Sequence, residues 1–183
     1  AKEGTDNDAT PTFTWTGATD ALAGVSYYQI RVGMEVWGNT GNVTTYTRTT
    51  GLADGAHTFY IRAVDAAGNI GAEADLAFTV DTASPTAPTS LAQTTDEPDT
   101  TPTFTWEASI DTGAGIASYE VKIGDADYID VGNVTTYTVT TELAAGKYIL
   151  NVRAVDGAGN AGIAGTLNFT ISAAPALSTA MLI

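Results

Sequence analysis

The sequence contains no cysteine and only one histidine among its 183 residues. The absence of cysteine excludes disulfides, thiolate nucleophiles and cysteine-ligated zinc sites. A catalytic histidine needs a nucleophile and an orienting carboxylate around it, and no such set recurs around His57. No glycine-rich phosphate loop is present either. We therefore predict that the protein is not an enzyme, with no catalytic and no cofactor-binding residues.

Positive charge is also scarce. Lys and Arg number 7 against 21 Asp and Glu, which gives a net charge of −14 at pH 7. Nucleic acid is excluded as a partner because phosphates are bound by clusters of Lys and Arg. No apolar run approaches the roughly 18 residues that span a bilayer, and no signal peptide opens the sequence. We therefore expect no membrane insertion, and either a mature protein or a fragment of a longer chain.

The sequence is instead rich in repetition. PTFTW, GNVTTYT and RAVD begin at residues 11, 41 and 62, and each begins again 91 positions later, at 102, 132 and 153. The two copies align without an insertion, which indicates two domains built on one template. We predict domain 1 at residues 1–82, a short, stiff, proline-containing linker at 83–87, and domain 2 at 88–172. Residues 173–183 remain as an apolar C-terminal tail.

Within each repeat the apolar residues alternate with a period of two. Tyr28, Ile30 and Val32 share one face of a predicted strand, and Phe13 and Trp15 share one face of another. Threonine is abundant, glycine reaches 19 residues, and no stretch is typical of a helix. The predicted fold class is therefore all-β, with two tandem antiparallel β-sandwich domains.

Through PTFTW, YYQIRV and TTYTRTTGLADGAHTFYIRAVDAAGNIG, the chain resembles the fibronectin type III and bacterial Ig-like repeats of large surface proteins. The resemblance covers nearly all of both repeats. It implies Ig-like sandwiches with Trp15 and Trp106 in their cores, and an extracellular or cell-surface location. The residue at the corner after LADG and LAAG falls two positions past the glycine, at His57 and Tyr148. This departure fits the bacterial Ig-like group better than the animal fibronectin modules.

Acidic side chains recur at the turns of both repeats, as in VDAAGNIG (64–71) and VDGAGNAG (155–162). If two Ig-like domains stack end to end, one junction would collect six oxygen-bearing residues: Asp6, Asp8, Asp81, Asp111, Asp156 and Asn160. Calcium takes about 6–8 oxygen ligands, and the resemblance also implies calcium at such junctions. The alternative is turn chemistry alone, because Asp and Asn bond their own backbone. The sequence leaves both interpretations open.

Some exposed residues offer weaker candidate sites. Trp37, Tyr27 and Tyr60 fall on outward positions or in a short loop, where they could bind surface glycans, although scattered exposed aromatics are common. Asn-x-Thr glycosylation sequons occur at Asn42, Asn133 and Asn168.

These features favour a structural or adhesive module that acts as a spacer or stalk in an extracellular prokaryotic surface protein. Its expected partners are neighbouring Ig-like repeats or identical subunits. One alternative is a carbohydrate-binding or accessory module of a secreted enzyme.

A second alternative concerns the two ends. The counterpart of PTSLAQTT (88–95) would precede residue 1, so domain 1 is expected to lack most of its first strand. The apolar residues 176–183 of another subunit could fill that place and build an extracellular filament. A longer repeat array would account for the same features.

Overall fold

The computed structural model of the protein describes residues 5–96 and 98–173. The chain divides into two compact units, Ala1–Ala83 and Ser84–Ile183, which we call domain 1 and domain 2. Every secondary-structure element assigned in the described part is a strand, which confirms the all-β fold class. None of these residues forms a helix that is long and apolar enough to cross a membrane. The part of the predicted tail from residue 174 onward lies outside the described residues.

Domain 1 is a sandwich of two sheets. Its strands are β1 (Thr5–Asp6), β2 (Thr12–Thr14), β3 (Val25–Val32), β4 (Gly38–Asn39), β5 (Thr45–Thr47), β6 (Gly55–Asp65) and β7 (Ala74–Val80). One sheet has the order β1-β7-β6-β3-β4, and the other is the pair β2-β5. All pairs are antiparallel except β1 with β7, which is parallel.

Domain 2 repeats this arrangement except for the first strand of each domain. Its strands are β8 (Thr89–Gln93), β9 (Thr103–Glu107), β10 (Ile116–Ile123), β11 (Ile129–Gly132), β12 (Thr136–Thr138), β13 (Gly146–Asp156) and β14 (Gly165–Ile171). The sheets have the orders β11-β10-β13-β14 and β12-β9-β8. Strand β8 therefore adds to the sheet of β9, whereas β1 adds to the sheet of β7.

Each domain has its own hydrophobic core. The predicted alternation along β3 is confirmed, since Tyr28, Ile30 and Val32 are 3, 6 and 5% exposed. In domain 1 the buried cluster comprises Phe13, Ile30, Val32, Phe59, Phe78 and Val80. In domain 2 it comprises Phe104, Trp106, Tyr119, Val121, Val139, Leu150, Val152, Ala154, Phe169 and Ile171. Because the two clusters share no residue, each domain buries its apolar strand faces by itself.

The two corners before the long strands β6 and β13 use equivalent hydrogen bonds. Nε2 of His57 is hydrogen-bonded to the carbonyl oxygen of Ala53 at 2.8 Å, and the hydroxyl of Tyr148 donates to the carbonyl oxygen of Ala144 at 3.0 Å. The single histidine of the chain thus stands in the place of an aromatic corner residue and has a structural hydrogen bond.

The predicted linker is anchored to domain 2 from Pro85 onward. The N–H of Thr86 donates to the carbonyl oxygen of Ile110 at 2.9 Å, and its Oγ1 accepts from the N–H of Ile110 at 2.8 Å. A Cβ at Gly162 would lie 2.6 Å from the carbonyl oxygen of Pro85. Glycine is therefore required there because another backbone approaches so closely.

Candidate functional site

The acidic turn after β6 is closed by the side chain of Asp65. Its Oδ1 accepts hydrogen bonds from the N–H groups of Ala67 at 2.9 Å and Asn69 at 2.8 Å, and Nδ2 of Asn69 donates to Oδ2 at 2.7 Å. The side-chain bond from Asn69 is the largest of the effects that lower the pKa of Asp65. Gly68 adopts a φ of 89°, which favours glycine.

Domain 2 contains the same turn after β13. Oδ1 of Asp156 accepts from the N–H groups of Ala158 at 2.9 Å and Asn160 at 2.8 Å, and Nδ2 of Asn160 donates to Oδ2 at 2.8 Å. Asp and Asn are favoured in turns because they form such bonds with nearby backbone. The repeated motif therefore stabilises the turn by hydrogen bonds in both domains. This includes the copy in domain 2, whose Asp156 and Asn160 are predicted calcium ligands.

The loops after β2 and β9 also have an aspartate as their organising residue. Oδ2 of Asp20 accepts from three successive N–H groups between residues 22 and 24, at 2.8–3.0 Å, and these bonds lower the pKa of Asp20. Oδ2 of Asp111 accepts from the N–H groups of Gly113 at 3.0 Å and Gly115 at 2.8 Å. The carbonyl oxygen of Gly115 accepts from the N–H of Gly157 at 2.9 Å, so in domain 2 this loop lies beside the Asp156 turn.

The remaining predicted calcium ligands lie together in domain 1. The carbonyl oxygen of Asp6 accepts from the N–H of Asp81 at 2.9 Å, and Oδ1 of Asp6 accepts from the N–H of Asp8 at 3.1 Å. Asp6 and Asp81 are buried, whereas Asp8 is exposed. The structure thus groups three of the six residues within domain 1 and brings the other three into adjacent loops of domain 2. Calcium binding by the set stays a prediction.

We expect millimolar calcium to raise the melting temperature of the full chain relative to EGTA. A ligand present at about 100 times its Kd stabilises the native state by roughly 2.7 kcal/mol. The Asp156→Ala variant should lose most of the calcium-dependent increase, as measured by differential scanning calorimetry.

Asp65→Ala is the matched control for this experiment. It breaks the same turn hydrogen bonds in domain 1 but removes none of the six predicted ligands, so its calcium response should match that of the wild type. A wild-type melting temperature that does not change with calcium would contradict the prediction.

The outer face of the sheet in domain 1 carries a stack of cations and aromatic rings. The guanidinium of Arg62 lies 4.0 Å from the ring centre of Trp37, and that of Arg31 lies 4.8 Å from Trp37 and 4.4 Å from Tyr60. Nε of Arg62 also donates to Oε1 of Gln29 at 2.8 Å. A cation over an aromatic face is attracted by the ring quadrupole, so Trp37 and Tyr60 are parts of one stack.

Domain 2 has a counterpart of this stack. The guanidinium of Arg153 lies 4.0 Å from the ring centre of Tyr128, and Nζ of Lys122 lies 5.2 Å from it. Nε of Arg153 donates to Oε2 of Glu120 at 2.6 Å. These stacks were not predicted from the sequence. A signal was available, because residues 31, 37 and 62 have a cation, an aromatic and a cation, and the residues 91 positions later have the same types.

Two of the three predicted sequons have a structural role. Nδ2 of Asn42 donates to the carbonyl oxygen of Val25 at 3.0 Å, and Nδ2 of Asn133 donates to the carbonyl oxygen of Ile116 at 2.9 Å. These amides tie a loop to the first residue of β3 and of β10. Asn168 is exposed on β14, and glycosylation at all three positions stays a prediction.

Both repeats match known domain families. Residues 1–82 match the bacterial Ig-like domain, and residues 86–169 match the fibronectin type III domain. The chain is 38% identical over 159 residues to Chitinase A1 of Niallia circulans, covering 81% of this chain and 22% of that protein. It is 35% identical over 161 residues to Exoglucanase B of Cellulomonas fimi, covering 81% of this chain and 14% of that protein. The chain therefore spans less than a quarter of the length of these relatives.

Solved structures show the same fold at low sequence identity. The FN1–FN3 domains of chicken CNTN1 match with a TM-score of 0.62 at 14% identity, covering 94% of this chain and 66% of that one. The fibronectin(III)-like modules of Clostridium thermocellum CbhA match with a TM-score of 0.58 at 18% identity, covering 94% and 90%. At these identities the likeness concerns the fold alone, and it confirms the predicted β-sandwiches.

Proposed function

Because the chain is a tandem of domains of the bacterial Ig-like and fibronectin type III families, we propose that it is a non-catalytic spacer in an extracellular prokaryotic protein. The observation that carries this proposal is that each domain closes a hydrophobic core of its own. A spacer must stay folded without a ligand, and two separate cores meet this requirement.

The polar groups of the loops support the same function. The carboxylates of Asp20, Asp65, Asp111 and Asp156 accept hydrogen bonds from N–H groups of their own turns and loops. These bonds fix the turns between strands. A side chain used in this way stabilises the module.

The relatives support a role beside other modules. They are named as a chitinase and an exoglucanase, and this chain covers 22% and 14% of them. We therefore include in the proposal an accessory position within a larger, secreted protein of polysaccharide metabolism. An extracellular location belongs to the same proposal.

Carbohydrate binding is the second candidate function, favoured by the aromatic residues on the outer face of domain 1. However, a sugar that stacks on Trp37 would compete with the guanidiniums of Arg31 and Arg62, which already lie over the ring. On a ring face that a guanidinium covers, such a sugar would have to displace the cation–π contact before it gains its own. For this reason we favour the spacer function over glycan binding.

The two candidates differ in what the full chain should bind. As a spacer it should show no specific retention on chitin, cellulose or a glycan array, and Trp37→Ala should change nothing. Under force the same chain should unfold in two separate events, one for each core.

Tyr128→Ala provides the matched control, since it removes the aromatic ring of the equivalent stack in domain 2. Specific retention that Trp37→Ala abolishes and Tyr128→Ala preserves would contradict the spacer proposal and establish the carbohydrate-binding alternative.

A further inference from the structure

The two domains differ in charge along β3 and β4 of domain 1 and the equivalent strands β10 and β11 of domain 2. Domain 2 has four carboxylates in this region, on Glu120, Asp125, Asp127 and Asp130. The residues 91 positions earlier are all uncharged, and they are Gln29, Met34, Val36 and Asn39. We call the surface formed by these four residues together with Trp37 and Arg62 the β3–β4 face. It lacks the acidity of its counterpart, in a chain with a net charge of −14.

Arg62 gives the β3–β4 face an uncompensated positive charge. In domain 2 its counterpart Arg153 donates through Nε to Oε2 of Glu120 at 2.6 Å. Nε of Arg62 donates instead to the neutral amide oxygen of Gln29 at 2.8 Å. Within the described residues, no carboxylate forms an ion pair with Arg62. A guanidinium has five N–H donors, so those that Gln29 does not use can bind a carboxylate from outside the domain.

The loop between β3 and β4 adds exposed apolar side chains. The two carboxylate oxygens of Glu35 accept from the guanidinium of Arg48 at 2.9 and 2.6 Å, and the Arg48 side chain is only 11% exposed. The residues on either side of Glu35, Met34 and Val36, are 98 and 93% exposed. The ion pair thus holds the charged side chain against the domain and leaves the apolar ones in water. Apolar side chains grouped on a surface mark protein interaction sites.

The apolar loop and the uncompensated cation lie close together. Met34 and Trp37 are at most about 11 Å apart along the chain, and the ring centre of Trp37 lies 4.0 Å from the guanidinium of Arg62. Gln29 is paired with Asn39 on one side and with Arg62 on the other. Trp, Met and Arg are enriched in protein–protein interfaces, and Trp and Arg are frequent among the residues that dominate binding energy.

Two carboxylates border the face on the side of β7. Oε1 of Glu73 lies 3.5 Å from Nη2 of Arg31, and Asp75 is paired with Tyr60 across β6 and β7. Arg31 therefore has a counter-ion within the domain, whereas Arg62 does not. A carboxylate of a partner is expected at Arg62 for this reason.

We propose that the β3–β4 face binds an acidic segment of another protein, in which an apolar side chain is flanked by carboxylates. One carboxylate takes the place at Arg62 that Glu120 takes at Arg153 in domain 2. The apolar side chain packs against Met34 and Val36. Complementary charge directs such an association and disfavours partners of the wrong charge.

An acidic polysaccharide fits this face less well than a peptide does. Two guanidiniums already contact the ring of Trp37, on which a sugar would stack. Aliphatic side chains such as those of Met34 and Val36 also gain little from a ring covered with hydroxyls. A carboxylate that approaches the N–H groups of Arg62 leaves its contact with Trp37 in place.

Titration of the full chain with two synthetic peptides tests the proposal. The first peptide is acetyl-Glu-Glu-Leu-Glu-Glu-amide, and the second has Gln in place of every Glu. Calorimetry should detect binding of the first, and the second should bind at least about tenfold more weakly, a difference of about 1.4 kcal/mol. Salt should weaken the first complex because it screens exposed charges. The NMR signals of the Trp37 indole and of Nε of Arg62 should shift.

Gln29→Glu tests the role of the uncompensated cation. It gives Arg62 the counter-ion that Arg153 has in domain 2, and it should lower the affinity for the acidic peptide about tenfold or more. Because domain 2 accommodates the same pair at 2.6 Å, the variant should keep its fold, which urea unfolding verifies.

The loop is tested by Met34→Asp combined with Val36→Asp, which introduces the residue types of domain 2 at two exposed positions. This variant should also bind about tenfold more weakly or worse. Glu120→Gln is the matched control in domain 2. It frees Arg153 but keeps the three aspartates of that region, so it should create no second site for the acidic peptide.

Any of three results would overturn the proposal. The first is that the acidic peptide does not bind, or binds no more tightly than its Gln counterpart. The second is that Gln29→Glu binds it as tightly as the wild type does. The third is that polygalacturonate binds at Arg62 in preference to the peptide, which would make the ligand an anionic polysaccharide. The spacer function is independent of these outcomes, because it depends on the two cores and not on this face.

Discussion

Trp106→Ala is expected to lower the free energy of unfolding of domain 2 by about 3–5 kcal/mol, the usual cost of replacing a buried large aromatic by alanine. Trp106 is 5% exposed, and its ring centre lies 5.6 Å from that of Tyr119 in the core. A natural domain has roughly 5–15 kcal/mol in total. The variant should therefore leave domain 2 close to unfolding, while domain 1 retains its own core.

The positions of the tryptophans allow the two domains to be followed separately. The chain has three, at residues 15, 37 and 106, so in Trp106→Ala both remaining tryptophans report on domain 1. In urea, circular dichroism should show an early transition for domain 2, and the fluorescence transition should stay that of wild-type domain 1. Simultaneous loss of both signals at low urea would contradict the presence of two separate cores. Trp15→Ala, at a partly exposed position, should cost less.

Gly165→Ala is expected to lower the stability of domain 2 by about 1–3 kcal/mol, the usual cost of overpacking. The added Cβ would overlap the carbonyl oxygen of Pro88 and lie 2.9 Å from Cδ1 of Leu91. Strand β8 must then move away from β14. Urea unfolding measures the loss, and faster hydrogen exchange at the N–H of Thr86 and in β8 locates it.

Gly146→Ala is the control for this change. Its Cβ would have an ordinary contact of 3.6 Å with Cε2 of Tyr148, in another part of the same domain. We expect a change within about 0.5 kcal/mol, as for substitutions that meet no steric conflict. Equal losses in the two variants would show that the contact between Pro88 and Gly165 is unimportant for stability.

Local patterns in the sequence were sufficient to predict the strands and most of the core. Alternation fixed the buried face of β3, because successive side chains on a strand point to opposite sides. The same reasoning identified Trp106 as a core residue. It could not distinguish Trp106 from Trp15, since their different burial depends on the segment that covers each of them. The contact with the covering segment is long-range, and the residues next to each tryptophan in the sequence give no information about it.

The candidate site was predictable to a smaller extent. The motif around Asp156 and Asn160 was recognised, and the hydrogen bonds show its turn role. The contact of Arg62 with Trp37 was missed because the two residues are distant in sequence and meet only when β6 lies beside β3. The close approach of Pro85 to Gly162 was missed for the same reason, because it depends on the path that the linker takes in the folded domain. The glycine at residue 71 gives no indication of this crowding, because a Cβ there would have only an ordinary contact of 3.5 Å with the carbonyl oxygen of Ala63.

The anchoring of residues 85–93 on domain 2 bears on how such a protein can grow by gene duplication. The folding unit of domain 2 begins within the segment that a comparison of the motifs identifies as a linker. The sequence nevertheless repeats with the same period, whichever residue is taken as the start of a repeat. A duplication of 91 residues therefore adds one complete folding unit irrespective of its break point, because the closing strand is copied together with the residues it covers. Selection need not place the break points in a linker. Any in-frame duplication of one period preserves the contact between each glycine and the proline carbonyl that packs against it.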